Sequence, residues 1–436
     1  MVKYLKTNLQ FLIITIIWLL TGLYARPLTY LIVPVTFLLL SKKGLDEMLF
    51  IGFFAMLIFS DSFYLSFAKD IKPYILLILS LSFFNNQKSF RPIPSITSPF
   101  VPFFIYAILV LVNSVTIGLS MQKTLSYILL YIVVPNYVMK IYRNEGAVFF
   151  KNLIFFTISV LIVGILFKYI NPAVAISHGD RFQGIFGNPN GVAMFCVLMY
   201  LLFSVLDEYY PELFTRGEKI LVYALLFISI IWSGARTSMM CMIIFWVFSR
   251  VQKKSTILGI ILFIVVLVTY ELITSNLIEI VKNLGMGKYF RLDTLDAGSG
   301  RIFAWRYAWE EIQKNFFFGR GFDYNQYLFF IPETQHRLNM LNHQGDVHNV
   351  YLGFWLDVGL IGLVLFLAAF IYTFYKANQK SALAFPIMYT MLFMGNYEPW
   401  LIASLNPYTI QFLIIVTILI YCKRPDNEVV PILKTK

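Results

Sequence analysis

Charged side chains are scarce in this sequence: only 13% of its 436 residues are Asp, Glu, Lys or Arg, against roughly a quarter in a soluble domain. That shortage excludes an ordinary water-soluble enzyme. With 59% of the residues hydrophobic, the class is all-α and polytopic, because in lipid the backbone must satisfy its own hydrogen bonds inside helices. Cysteine is nearly missing too. Cys196, Cys241 and Cys422 are scattered in or beside apolar runs, which excludes a disulfide framework and offers no metal-ligand spacing. The acids form no cluster with metal-ligand spacing, so neither a metal nor another cofactor is expected. No internal repeat or low-complexity tract stands out. A cleavable leader is not expected: the first apolar run begins near Leu9, is followed by Tyr24-Ala25-Arg26-Pro27, and reads as a first span. The net charge of +12 sits mostly in short loops between apolar runs, so nucleic acid is not an expected partner.

What the sequence has in quantity is apolar runs. Candidate spans fall near 8–24, 27–41, 47–67, 73–84, 99–119, 124–140, 152–169, 190–206, 219–233, 237–250, 255–273, 349–375, 382–396 and 405–422. Several are short, so about 12–14 transmembrane helices are expected, in a single polytopic domain spanning 1–436. Lys and Arg in the short loops concentrate on the side that carries both termini. This bias predicts cytoplasmic termini and places one long segment, 274–347, outside. A loop of that length is functional or disordered as a rule, and this one carries Trp305, Trp309, Phe316, Phe317, Phe318 and Phe322, which is not the composition of disorder.

Within the loop, "GSGRIFAWRYAWEEIQKNFFFGRG" reads as a helix, with Asp296 and Ser299 before it and Gly319 and Gly321 after it. At 100° per residue, Ile302, Trp305, Trp309, Ile312 and Phe316 form an apolar stripe. Arg301 lies at its edge and Arg306 points away. Arg301 is then either an inward-facing functional cation or an anchor whose head reaches the lipid headgroups. Two further segments map to the same side. Arg181 and Gly187-Asn188-Pro189-Asn190 precede a span, where Asn190 is expected to cap the following helix or to serve a site. Arg236 stands in the break of "IWSGARTSMM", and an arginine between apolar runs needs a partner. His348-Asn349 open the last long apolar run. Arg181, Arg236, Arg301 and His348 thus come from four places in the chain to one face of the membrane. Guanidiniums at such a face suit phosphate or pyrophosphate, and a histidine beside them can accept a proton near neutral pH. Alternatively, His348 only caps its helix or binds sugar.

Four stretches, in order, carry a resemblance to the O-antigen ligase and O-antigen polymerase superfamily of bacterial envelope enzymes. "FGNPNGVA" resembles its Asn-Pro-Asn segment, and "SGARTSMM" its Ser-x-Arg segment, with one residue more between Ser233 and Arg236. "GSGRIFAWRYAWEEIQKNFFFGRGF" resembles its Gly-Arg…Trp…Gly-x-Gly segment, and "HNVYLGFWLDVGLIG" its His-Asn…Gly-x-x-Gly signature. The resemblance covers about 181–375. It implies metal-independent glycosyl transfer on the outer face of the bacterial inner membrane, from a polyprenyl-pyrophosphate-linked oligosaccharide to an acceptor sugar. By that pattern Arg236 and Arg301 hold the pyrophosphate and His348 activates the acceptor hydroxyl. Arg181, Asn188, Asn190 and Asn349 are further candidates for substrate contact, and Gly359 and Gly362 would let helices approach closely. Two acceptors fit: a second lipid-linked repeat unit, making a surface-polysaccharide polymerase, which is the reading adopted, or a lipid A core sugar, making an O-antigen ligase. A different class, a transporter of lipid-linked oligosaccharide, would use Asp61 or Asp357 near mid-membrane, but the charges gather at one face instead.

Overall fold

The computed structural model describes residues 2–422 except 178, 253, 284–300 and 340–346. The chain begins with α1 (Val2–Thr7), α2 (Leu9–Tyr24), α3 (Arg26–Lys42), α4 (Asp46–Ser60), α5 (Phe67–Asn85), α6 (Gln87–Phe90), α7 (Val101–Val110), α8 (Ile117–Glu145), α9 (Val148–Ile170) and α10 (Pro172–Ala175). A two-residue antiparallel hairpin follows, β1 (Ile176–Ser177) with β2 (Arg181–Phe182). Then come α11 (Pro189–Tyr209), α12 (Arg216–Ser233), α13 (Arg236–Val251), α14 (Thr256–Asn283), α15 (Arg301–Lys314), α16 (Tyr324–Phe330), α17 (Pro332–Asn339), α18 (Val350–Asn378), α19 (Ala384–Gly395) and α20 (Pro407–Tyr421). The architecture is all-helical and polytopic, as composition requires. Each apolar run falls on helix, the one at 99–119 being interrupted between α7 and α8. Among the described residues α8, α9, α11 and α18 have the length and apolarity to cross a membrane, and α2, α19 and α20 are shorter apolar helices.

Contacts divide the chain into two compact units, one of residues 1–93, 130–233 and 405–436, the other of 94–129 and 234–404. In the first, α11 is buried over nearly its whole surface and packs on α12 and α20, the behaviour of a helix that is apolar all round. α4 is equally enclosed, with Phe54 stacked 6.1 Å from Phe195 of α11. In the second unit, α18 is the spine. α7, α15, α16 and α19 all pack against it, and α13 packs on α19.

α18 is broken in the middle. Gly359 takes φ 67° and ψ −178°, a region open only to glycine, so the hydrogen-bond ladder stops there. The loop 316–320 supplies the missing partners. Leu360 and Ile361 donate their amides to the carbonyls of Phe316 (2.9 Å) and Phe317 (3.2 Å), and the Arg320 amide donates to the carbonyls of Leu356 (3.3 Å) and Asp357 (3.1 Å). The approach is so close that a Cβ on Gly319 or Gly359 would run into the facing backbone. The Gly359-x-x-Gly362 spacing therefore serves a break with a loop laid into it, rather than the close packing of whole helices. Gly362 has a smaller part, leaving room for Tyr106 of α7.

Candidate active site

α15 forms where the sequence predicts it, but its buried face is shifted. Ala304, Ala308 and Ile312 are buried, whereas Ile302 and Trp309 lie 46% and 40% exposed. The small residues Ala304 and Ala308, one turn apart, let the helix lie close to α18, with Ile312 completing the buried face, while Ile302, Phe303 and Trp309 are turned outward. Arg301 still falls on the inward side and Arg306 outward. The expected caps Asp296 and Ser299 lie outside the described residues.

At the first residue of α15, Arg301 donates from Nη2 to Glu398 Oε1 at 3.1 Å, and its guanidinium sits 5.9 Å from the Tyr397 ring centre. One turn on, Trp305 donates from Nε1 to the Val347 carbonyl (2.9 Å) and faces Tyr397 with ring centres 6.4 Å apart. Val347 leads into His348, which is held at φ 46°, a left-handed conformation that costs a residue with a Cβ of order 1 kcal/mol or more. Asn349 follows as the N-cap of α18. Its Oδ1 accepts from the Leu352 amide (3.0 Å), and its Nδ2 donates to the Asn396 carbonyl (3.0 Å). The turn Asn396–Glu398 thus gathers three things: Arg301, the tryptophan that braces the residue before His348, and the asparagine that follows it. Backbone strain at a half-buried histidine, clamped on both sides, is the mark of a residue aimed by its surroundings. Arg236 opens α13, and α13 packs on α19, the helix that runs into the same turn.

Glu398, which is 4% exposed, was not foreseen from sequence. Neither were Lys123 and Asp323. Lys123 Nζ lies 3.6 Å from Asp323 and 4.0 Å from Asp357, and Asp357 Oδ1 accepts from the Asn325 amide at 2.7 Å. Burial raises the Asp323 carboxyl above its ordinary range, with Lys123 pulling the other way. This cluster pins the start of α16 to the first half of α18. Asp357 is accordingly a buried acid engaged with this loop.

The remaining predicted residues sit in the first unit. Asn188, not Asn190, caps α11: its Oδ1 accepts from the Gly191 amide at 2.7 Å. Pro189 occupies the first helical position, where no amide is needed, which moves the cap one residue ahead of it. Asn190 instead receives Arg181, whose Nη2 donates to Asn190 Oδ1 (2.7 Å) and whose Nε donates to the Ser233 carbonyl (2.6 Å). Ser233 ends α12 with its own hydroxyl turned back on the Ile230 carbonyl (2.6 Å). The extra residue between Ser233 and Arg236 leaves the serine as a backbone acceptor for Arg181. Asp61 lies beside this helix start, with Oδ2 3.4 Å from the Gly187 amide and 3.5 Å from the Tyr408 hydroxyl.

Among the described residues, the chain is helical apart from one short hairpin, has four helices long and apolar enough to cross a membrane, and carries a strained histidine just ahead of one of them, as a multi-pass membrane protein would. Residues 221–367 match the family model described as O-antigen ligase, and the chain carries a domain of that family. Arg236, Arg301, His348 and Asn349 fall within the matched stretch. The family works at the bacterial inner membrane in glycan transfer of the ligase and polymerase type, on lipid-linked glycans, for envelope polysaccharide synthesis. None of the curated proteins matches this chain.

Proposed function

We propose that the protein transfers a glycan from a polyprenyl-pyrophosphate carrier to a sugar hydroxyl at the periplasmic face of the inner membrane, with both termini in the cytoplasm. The observation that carries this reading is the turn Asn396–Glu398, which ties Arg301 and the two residues flanking His348 to one point. Arg301 and Arg236 take the pyrophosphate, whose negative charge grows as the glycosidic bond breaks, and stabilise it as the leaving group. His348 in its neutral form accepts the proton of the attacking hydroxyl. Asn349 fixes the backbone that presents the imidazole. Arg181, Asn188 and Asn190 shape the first unit's helix start, and in this proposal they make no direct contact with the reacting groups.

The acceptor in this proposal is a second lipid-linked repeat unit, making the protein a surface-polysaccharide polymerase. The description of the matched family as O-antigen ligase favours a second reading, in which lipid A core is the acceptor. The test is purified protein with labelled lipid-linked oligosaccharide. Longer lipid-linked products support the polymerase, and transfer only when lipid A core is added supports the ligase. Movement of intact lipid between leaflets with no new product overturns both in favour of a transporter. Cysteine at the exposed Gln313 tests the topology, since an impermeant thiol reagent should reach it from the periplasm.

A further inference from the structure

We propose that Glu398 is the positioning residue of Arg301. It fixes one edge of the guanidinium, leaves the other donors for the leaving pyrophosphate, and cancels the cation's charge while the site is empty. This rests on the reading above, in which Arg301 receives the donor's pyrophosphate.

Arg301 lies on α15 and is largely withdrawn from solvent, and a guanidinium drawn out of water is costly unless a carboxylate answers it. Glu398 gives that answer from a different element, with 5% of its side chain exposed against 19% for Arg301. A carboxylate buried to that degree is costly unless it is paired. Among the described residues, the hydrogen bond of the pair runs through Nη2 of Arg301. A guanidinium has five donors in a rigid plane, so fixing one nitrogen sets the direction of the rest. Tyr397, on the same turn, lies against the guanidinium and limits rotation of the plane. Glu398 also bears negative charge next to the place an anionic donor would occupy. It therefore disfavours pyrophosphate to some degree, which helps the product leave.

These features give Glu398 a signature that a purely structural anchor lacks. Glu398→Gln keeps the shape and an acceptor oxygen but removes the charge. In full-length protein in detergent, this variant should bind inorganic pyrophosphate several-fold more tightly than the natural chain. With lipid-linked glycan its kcat should fall about tenfold or more through lost orientation, and its donor KM should fall as well. Arg301→Ala should weaken pyrophosphate binding about tenfold or more, with Arg236 still in place. A charge swap, Arg301→Glu with Glu398→Arg, restores the ion pair but moves the guanidinium from α15 to the turn 396–398. It should recover the melting temperature without recovering turnover.

The proposal is overturned if Glu398→Gln matches the natural protein in both pyrophosphate affinity and kcat. It is equally overturned if the swap recovers turnover together with melting temperature. Should Glu398→Gln not fold, the swap decides alone, because it keeps a pair in place. If the natural protein shows no transfer from lipid-linked glycan, the function proposed above falls, while the pyrophosphate affinities still decide the role of Glu398.

Discussion

Arg181 and Arg301 are held in opposite ways. Arg181, in the first unit, donates to two neutral oxygens, the Ser233 carbonyl and the Asn190 side-chain amide. Arg301, in the second, faces a carboxylate. Neutral acceptors fix a guanidinium in place and tie segments together, and here they bind a hairpin strand, the end of α12 and the start of α11. A carboxylate fixes it and also balances its charge, which suits a cation that must later exchange partners with an anionic ligand. The same residue type thus acts as a brace in one unit and, in the function proposed above, as a poised binding group in the other.

The largest effect is expected beside the poised arginine, at His348. His348→Ala should lose about 10²–10⁴-fold in turnover, the usual worth of a general base, while the donor still binds. The exposed His336 should tolerate alanine. If His348→Ala loses donor binding but keeps turnover per bound donor, the base assignment fails.

Next comes Arg301 itself. Arg301→Ala should cost about 10²–10³-fold in kcat/KM, the range for losing a charge-stabilising donor, with Arg236→Ala in the same range. Lysine at Arg301 should rescue little, since it cannot offer a planar fork. Full rescue by lysine would reduce Arg301 to a point charge and weaken the contrast with Arg181.

For Arg181 the loss should appear in stability instead. Arg181→Ala removes two hydrogen bonds of a charged donor, each worth about 1.5–3 kcal/mol at most, so thermal unfolding in detergent should move to lower temperature while turnover per folded molecule is kept. A loss of turnover as steep as that of Arg301→Ala would erase the distinction between the two. The smallest effect is expected at Arg306, exposed on α15: alanine there should change stability by about 0.5 kcal/mol or less. A large effect would mean that the outward face of α15 is also used.

Much of this was legible in the sequence, for physical reasons that also mark where it stopped. Apolar runs announce helices because lipid leaves the backbone no other choice, and helical periodicity placed Arg301 inward and Arg306 outward. The same periodicity grouped Ile302 and Trp309 on an apolar stripe but did not show that Ala304 and Ala308 would make the contact with α18 while those two stay exposed. Asn188 lost the cap to Asn190 in the reading, although Pro189 between them carried the signal. Glu398 went unread because its partner is nearly a hundred residues away. The hint available was a lone acid after an apolar run, in "GNYEPW", which calls for a counter-charge. The break in α18 was visible as glycine spacing, but no local rule says that a loop will fill it.

That break bears on how the protein is made. Gly359 lies about 13 Å along a helix from Val350, inside an apolar run, and hydrocarbon would supply no hydrogen-bond partner there. The first and second halves of α18 each depend on 316–320 for their free backbone groups, and that stretch leaves the ribosome before α18 does. Loop and span are therefore one cargo for the insertion machinery. The span reaches lipid in finished form only when the segment synthesised before it has folded back to meet it, so the order of the two along the chain is itself part of the design.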